Sequence, residues 1–260
     1  MLWSFLRAYG GQLPDDVRVI FTNTGKERPE TLDFVHECSE RWSVAITWLE
    51  FRPGDEQWAE VGHNSASRAG EPFAALIGQR NALPNPVARM CTEALKVRPM
   101  VRYCRDVAGW QEWSNAVGIR ADEPKRMARV RDCATKRVRE RYRQHAPLGD
   151  AGVTALDVAE FWAGQPFDLG LPITLKGKTL GGNCDLCFLK SAANIAATIK
   201  ADPSSADWWV EQEERQLGVV SPQARRFRVD RPTYREMRDA ISAQGDLFDD
   251  LTAIECACTD

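Results

Sequence analysis

The pattern that most constrains this fold is a strand, a helix and a second strand within residues 17–51. Residues 17–21 form a short β-branched and aromatic run, and residues 44–51 form another. Between them, Pro29 suits the first turn of a helix. The apolar face of that helix consists of Leu32, Val35, Cys38 and Trp42. Because strands joined in this way run parallel with a right-handed crossover, the pattern predicts an α/β fold built on a parallel sheet.

The loop after the first of these strands is a candidate binding site. It consists of Thr22, Asn23, Thr24 and Gly25. Parallel sheets bind ligands at the carboxyl ends of their strands, which is where this loop lies. An ordinary connecting turn is the alternative interpretation.

A pair of cysteines, Cys184 and Cys187, follows two glycines in the second half of the chain. A C-x-x-C turn can direct both sulfurs at one metal ion. Gly181 and Gly182 allow the backbone to approach closely and leave amides for hydrogen bonds to sulfur. The motif alone fits half of a zinc site, part of an iron–sulfur site, a redox pair or two core thiols. A distant partner, Cys91, strengthens the interpretation as a metal site.

Composition and charge indicate the cellular compartment and the classes of partner. The net charge is −3, with 27% charged residues, so no global field attracts the chain to nucleic acid or to a membrane. No apolar run approaches the ~20 residues that span a bilayer, and the first residues lack the features of a signal peptide. These observations predict a cytoplasmic protein with no membrane partner. In that compartment, eight cysteines favour metal or catalytic use over disulfides.

The middle of the chain gives weaker local signals. Residues 52–85 carry glycine, proline and asparagine with little periodicity, which predicts a long loop. Residues 91–104 are expected to be helical with an interruption at Pro99. Residues 116–120 are expected to form a strand. The basic run of residues 125–143 fits a solvated helical face. Two alternatives are an anion site near Arg120 and Arg126 and a surface that follows a nucleic-acid backbone.

The last part of the chain is predicted to be helical. Apolar periodicity indicates helices within residues 147–164, 191–200, 202–217 and 232–243. No repeat or low-complexity linker interrupts the sequence. We therefore expect one compact domain over residues 1–200, with a helical C-terminal extension and tail over residues 201–260.

Three segments in the same order resemble the phosphoadenosine phosphosulfate (PAPS) reductase family, within the adenine nucleotide α-hydrolase superfamily. Residues 19–31 (VIFTNTGKERPET) are similar to its strand, D-T-G turn and P-E-T helix start, with Asn23 in place of the usual Asp. Residues 118–126 resemble its G-x-R-x-x-E-x-x-R element. Residues 147–162 match the segment before the cysteine pair. The resemblance covers about residues 15–190 and is greatest to the phage and prophage branch.

The resemblance implies a Rossmann-like parallel sheet flanked by helices, with a sulfonucleotide or ATP as ligand. Thr22, Asn23, Thr24 and Gly25 would bind the nucleotide together with Arg120 and Arg126, and these two arginines and Lys96 would neutralise its anionic groups. The family's S-G-G-x-[ST]-S phosphate loop, whose amides cradle phosphate, is not present in these 260 residues. The strand before that loop would also be absent, which leaves a sheet edge that needs covering. We therefore expect residues 1–260 to bind ATP poorly.

Relatives that reduce adenosine phosphosulfate hold a [4Fe-4S] cluster on a C-C pair and a later C-x-x-C. Cys91 lies 93 positions before Cys184 but is followed by Thr92, so the resemblance implies three metal ligands, Cys91, Cys184 and Cys187. Lys96 and Pro99 fall where the family's R-K-x-x-P element would place them. Zinc is the alternative and needs a fourth ligand or water. Candidates for the fourth ligand are Cys104, Cys133, His145 and the tail cysteines.

Two activities and one non-catalytic role follow from the resemblance. In a sulfonucleotide reductase, Cys256 in residues 255–258 (ECAC) would be the nucleophile, with Lys96 assisting and a thiol donor such as thioredoxin completing the reaction. In a thiolation enzyme, ATP would activate a base, with tRNA as the partner. The alternative is a non-catalytic or zinc-stabilised binding module. A homodimer is a candidate oligomeric state.

Overall fold

The computed structural model describes residues 1–135, 142–172, 179–218 and 222–244 of the 260-residue chain. It begins with the short helix α1, Leu2–Ala8. The predicted strand–helix–strand unit follows as β1 (Val19–Asn23), α2 (Pro29–Arg41) and β2 (Ile46–Glu50). β1 and β2 are parallel, with Val19 opposite Ile46 and Asn23 opposite Glu50. The prediction of an α/β fold with parallel strands is confirmed.

The region predicted to be a long loop contains a strand and a helix. β3 (Ala59–Val61) pairs antiparallel with β2, which gives a sheet of order β1-β2-β3. α3 (Glu71–Arg80) follows, with Pro72 in its first turn. The prediction of a loop over residues 52–85 was wrong, because the apolar spacing of α3 is confined to one short helix among turn-forming residues.

The helical segment that carries Cys91 contains an irregular turn before the proline. α4 (Met90–Thr92) continues into a π turn over Glu93–Val97 and then into α5 (Arg98–Asp106). Pro99 lies in the first turn of α5, where its missing N–H costs little. The interruption predicted at Pro99 is present, but it lies in the preceding π turn, which contains Lys96.

A second, two-stranded sheet is formed by β4 (Trp113–Ala116) and β5 (Tyr142–His145), which run parallel. Between them lies the basic helix α6, Pro124–Thr135. The strand predicted at residues 116–120 ends at Ala116, and only its first residue belongs to β4. Ile119 instead packs in a small core with Met127, Val130 and Ala146.

Six further helices follow β5 in the part of the chain that the structure describes. They are α7 (Pro147–Asp150), α8 (Ala155–Ala163), α9 (Ala192–Ala201), α10 (Asp207–Arg215), α11 (Pro222–Arg225) and α12 (Tyr234–Gln244). The largest core joins α3, the π turn and the C-x-x-C segment to α9, α10 and α12. The helical C-terminal region therefore shares this core with the cysteines. Within the described ranges, no helix is long and apolar enough to cross a membrane.

Candidate functional site

The turn after β1 lies directly against the C-x-x-C segment. Glu27 and Cys184 form an isolated antiparallel bridge, and the Asp185 N–H donates to the Lys26 carbonyl at 2.7 Å. Asn183 and Gly181 have φ angles of 59° and 79°, a left-handed conformation that turns the chain sharply into the cysteines. The predicted binding loop and the predicted metal motif thus form one site.

Side chains strengthen this main-chain contact. The Glu27 carboxylate accepts hydrogen bonds from the Thr24 N–H at 2.8 Å and from the Thr24 hydroxyl at 2.6 Å. The Thr24 Oγ1 lies 3.4 Å from the sulfur of Cys184. Glu27 and Thr24 are both buried. The turn therefore places a carboxylate and a hydroxyl beside the first sulfur of the motif.

Lys96, a residue of the π turn, adds a positive charge to this group. Its ammonium lies 3.4 Å from Glu27 Oε1, and its side chain is 35% exposed, so it is open to a ligand. Burial alone would lower the pKa of Lys96, but the charge and hydrogen bond of Glu27, together with Cys184 and Cys187, raise the pKa above its usual value. The charge of Lys96 acts on Cys91, Cys184 and Cys187 alike. Lys96 is thus a fixed cation beside three thiols.

The three predicted ligands belong to one core. Cys184 is buried there, and Cys91 and Cys187 pack against the same cluster. Burial raises the pKa of all three thiols. For Cys187, a main-chain hydrogen bond from Leu189 and the charge of Lys190 partly offset the effect of burial on the pKa. The structure therefore brings together the thiols that the sequence predicted from a separation of 93 positions.

Soft thiol donors fit zinc or an iron–sulfur centre, which both prefer sulfur ligands. In residues 1–135, 142–172, 179–218 and 222–244, no group of three His, Cys, Asp or Glu side chains is spaced closely enough to hold a metal ion. The three thiols are therefore the right donor types for a metal centre, but in the described residues their sulfur atoms are not as close together as metal ligands would be.

The candidates for a fourth ligand lie elsewhere. Cys104 is buried in a different cluster, with Leu49 and Tyr103. His145 is an exposed residue at the end of β5. The side chains of Cys133, Cys256 and Cys258 lie outside the described residues. Of these five candidates, neither Cys104 nor His145 belongs to the core that contains Cys91, Cys184 and Cys187, here called the three-thiol group.

A buried ion pair also joins the turn after β1 to the C-x-x-C segment. Lys26 Nζ lies 3.0 Å from Asp185 Oδ2, with both side chains largely buried. Asp185 also accepts a hydrogen bond from the Trp209 indole at 2.8 Å, and Lys26 lies over the ring of Trp208. Gly70 is packed so tightly here that a Cβ atom would lie 2.5 Å from the Trp208 indole nitrogen.

The C-terminal helices also hold the main chain of the motif. The Tyr234 hydroxyl donates to the Leu186 carbonyl at 2.6 Å, and Arg231 donates to the Lys190 carbonyl at 2.8 Å. The Lys190 ammonium donates to the carbonyls of Cys184 and Asp185. These bonds satisfy carbonyls that would otherwise be buried without partners.

The predicted nucleotide-binding residues divide into two groups. Asn23 is fully buried, and its amide is occupied by Glu50 at 2.6 Å and by the Ser67 carbonyl at 2.8 Å. Its carbonyl oxygen accepts the Gly25 N–H, while Thr22 is a half-buried residue of β1. Asn23 therefore supports the turn, and Thr24 is the member of this loop beside the thiols.

Arg120 and Arg126 lie at a separate place. Arg120 pairs with Asp122 at 3.2 Å, and Arg126 pairs with Glu123. Among the described residues, no hydrogen bond or ion pair links either guanidinium to the three-thiol group. Any anion at Arg120 and Arg126 would have to compete with these carboxylates.

Sequence reasoning missed Lys26, Glu27, Asp185 and Lys190 as members of the site. Lys26 and Glu27 follow the turn directly, and Asp185 lies within C-x-x-C, so their positions were a usable signal. Their roles depend on the contact between residues 24–27 and 184–185. That contact spans most of the chain and has no local pattern.

Comparison with known proteins gives two matches. Residues 8–165 match the model of the phosphoadenosine phosphosulfate reductase domain. The chain is also similar to the "Uncharacterized nin region protein ORF290" of Escherichia phage lambda, with 30% identity over 193 residues. This match covers 71% of the chain and 60% of the phage protein. No solved structure matches.

Proposed function

Because the chain belongs to the phosphoadenosine phosphosulfate reductase domain family, in its phage-type branch, we propose that it carries out sulfur chemistry on an adenine nucleotide at the three-thiol site. The observation that carries the proposal is the position of Lys96. A partly exposed ammonium lies 3.4 Å from the Glu27 carboxylate, and its charge acts on thiols from two segments of the chain. A cation there can neutralise a sulfonate or phosphate group beside a sulfur atom.

The proposal includes a metal centre. Cys91, Cys184 and Cys187 would hold it, as an iron–sulfur cluster or, alternatively, zinc. When bound, such a centre would supply a Lewis-acidic metal ion with a coordination position that three protein ligands leave open. The chain's own residues do the positioning: Thr24 and Glu27 orient Lys96 and Cys184, and the Lys26–Asp185 pair holds the motif against the turn.

The leading reaction is reduction of a sulfonucleotide. The thiolate of Cys256 would attack the sulfur of the substrate, form a sulfur–sulfur bond and break the sulfur–oxygen bond to the nucleotide phosphate. The nucleotide leaves with the bonding electron pair. An external dithiol, such as that of thioredoxin, then reduces the sulfur–sulfur bond, releases sulfite and is oxidised to its disulfide.

The tail provides the test of this reaction. Cys256→Ser is expected to abolish turnover, measured as sulfite release from PAPS or adenosine phosphosulfate with thioredoxin, and to leave metal content unchanged. Cys258→Ser, two positions further along the chain, is the matched control and is expected to retain turnover. In a separate variant, Lys96→Ala should raise KM for the sulfonucleotide about tenfold or more, because it removes the cation near the thiols. Full turnover in Cys256→Ser would contradict the assignment of the nucleophile. Loss of metal in Cys256→Ser would make Cys256 a ligand instead.

A non-catalytic or zinc-stabilised binding module is the second candidate. The observation that favours it is that Asn23, Arg120 and Arg126 are all engaged with the protein's own polar groups. In such a module these side chains would stabilise the fold and leave no free groups for a nucleotide.

Residues 1–260 are expected to bind ATP weakly, because no S-G-G-x-[ST]-S amide cradle is present in this sequence. Isothermal titration calorimetry with ATP measures the affinity directly, with adenosine phosphosulfate as a comparison. Tight ATP binding would contradict this prediction. It would also favour the rival thiolation reaction, in which ATP activates a base in tRNA.

A further inference from the structure

A cleft lies between the C-terminal ends of α1 and α2. Its volume is about 410 Å³, which is within the usual range for sites that bind small molecules. α2 has 13 residues, so this end of the helix lies about 20 Å from the end that follows the turn of residues 24–27. The cleft is therefore separate from the three-thiol group.

Two indole rings line the cleft. Trp3 of α1 and Trp42 at the end of α2 have ring centroids 5.5 Å apart and are tilted by 42°. Trp162 stacks on Trp42 with the centroids 5.8 Å apart, which holds the ring of Trp42 in place. Both lining indoles are half-buried, so part of each remains accessible from the cleft. The cleft thus offers fixed aromatic surface to a flat ring.

Two arginines give the cleft its charge. Arg41 lies 4.9 Å from the centroid of the Phe167 ring and pairs with Glu37 at 2.7 Å. Arg7 is exposed, and within the described ranges its side chain has no ion pair. Taken with Glu37, the two guanidiniums leave one net positive charge. This charge matches a single phosphodiester group better than a terminal phosphate, which carries close to two negative charges.

The end of α1 leaves room for a ligand. Gly10 and Gly11 line the cleft, and no described atom beyond their chain neighbours lies within 4 Å of the position of a Cβ at either residue. Their N–H groups donate to the carbonyls of Arg7 and Leu6, so these carbonyls at the negative end of the helix are already occupied. Tyr9, which precedes the glycines, is exposed and adds a further ring at this end of the cleft.

We propose that this cleft binds single-stranded nucleic acid, with an unpaired base against the indoles and the adjoining phosphodiester at Arg7 and Arg41. Aromatic rings interleaved with cations are the arrangement that recognises single strands, because every base has a face that can stack. A duplex keeps its bases stacked inside and offers its phosphates alone. A free nucleotide has no second base for Tyr9 and carries more charge than the cleft neutralises. The proposal does not rest on the sulfur chemistry suggested above.

The test measures fluorescence anisotropy of a labelled oligodeoxyadenylate of about six nucleotides that is titrated with the 260-residue chain. Arg7→Glu reverses one charge in the cleft and is expected to weaken binding about tenfold or more. Arg105→Glu makes the same change at an exposed arginine of α5, outside the cleft. It should change the affinity less than about twofold, because salt screens distant exposed charges.

A second pair of variants tests stacking. Trp3→Leu removes the ring and should weaken binding about fivefold or more, whereas Trp3→Phe keeps a ring and should retain most of the affinity. Unlabelled duplex should compete poorly with the labelled strand, because its bases are not free to stack. AMP should displace the strand at much higher concentrations than the unlabelled strand does.

Several results would overturn the proposal. These are the absence of saturable strand binding, or equal losses of affinity in Arg7→Glu and Arg105→Glu, which would indicate a general effect of charge. Equal competition by duplex would mean that phosphates are bound without stacking. Displacement by AMP at the same concentration as the strand would assign the cleft to a free nucleotide instead. If Trp3→Leu does not fold, Arg7→Glu, at an exposed side chain, still decides whether the strand binds in the cleft.

Discussion

Protein purified without oxygen is expected to be brown and to contain iron and acid-labile sulfide, and Cys184→Ser is expected to lose both. The reason is that Cys184 is the most enclosed of three thiols in one core, beside Thr24 and within reach of the charge of Lys96. Serine keeps the size of the side chain but removes the soft sulfur donor. Metal analysis and the visible absorption spectrum measure the result.

Cys104→Ser provides the matched control for this experiment. Cys104 is also buried, but it packs with Leu49 and Tyr103 and belongs to another cluster. Its replacement should leave iron and sulfide unchanged. Stoichiometric zinc without iron or sulfide in the parent protein would overturn the iron–sulfur centre in favour of zinc. Unchanged iron in Cys184→Ser would show that this cysteine is not a ligand.

Trp209→Ala is expected to reduce the free energy of unfolding by about 3–5 kcal/mol. Trp209 is fully buried, stacks on Tyr234 and contacts Phe73 and Phe227 in the largest core. Its removal leaves a cavity and takes away the hydrogen bond that the indole N–H donates to Asp185. The Asp185 carboxylate then keeps only Lys26 and the main chain as partners. Urea denaturation followed by circular dichroism measures the change.

Two variants separate packing from hydrogen bonding at this position. Trp209→Phe keeps much of the apolar volume and loses the indole N–H, so its cost should be smaller and closer to about 1 kcal/mol for the hydrogen bond. Trp208→Ala removes a neighbouring, half-buried ring that lies over Lys26 and should cost less than Trp209→Ala. A cost for Trp209→Ala no greater than that for Trp208→Ala would contradict the larger contribution of the fully buried Trp209 to this core.

Much of the fold was predictable from local patterns. The β-branched runs, Pro29 and the apolar face of α2 identify the strand–helix–strand unit, and its parallel pairing follows from connection geometry. β3 and α3 were missed because three-residue strands and single short helices give little periodicity. The π turn before Pro99 was missed because sequence patterns assume a regular helical repeat.

The sequence predicted the cysteines of the candidate site better than its charged residues. Cys91, Cys184 and Cys187 were found through spacing and family resemblance, and the structure places them in one core. Glu27 and Asp185 were not found, because their roles come from the pairing of two distant segments. Arg120 and Arg126 were predicted to bind the substrate from the motif, but the sequence could not show that Asp122 and Glu123 occupy them.

The dependence of the C-x-x-C segment on later residues has a consequence for synthesis. A chain leaves the ribosome from its N-terminus, so Cys91, Cys184 and Cys187 all emerge before Trp209, Arg231 and Tyr234. Until then, Asp185, Leu186 and Lys190 lack the donors that hold them in the finished protein. The thiols therefore pass through an interval in which they are held less firmly and are more accessible. Insertion of a metal centre would fall naturally in that interval, before the last helix docks.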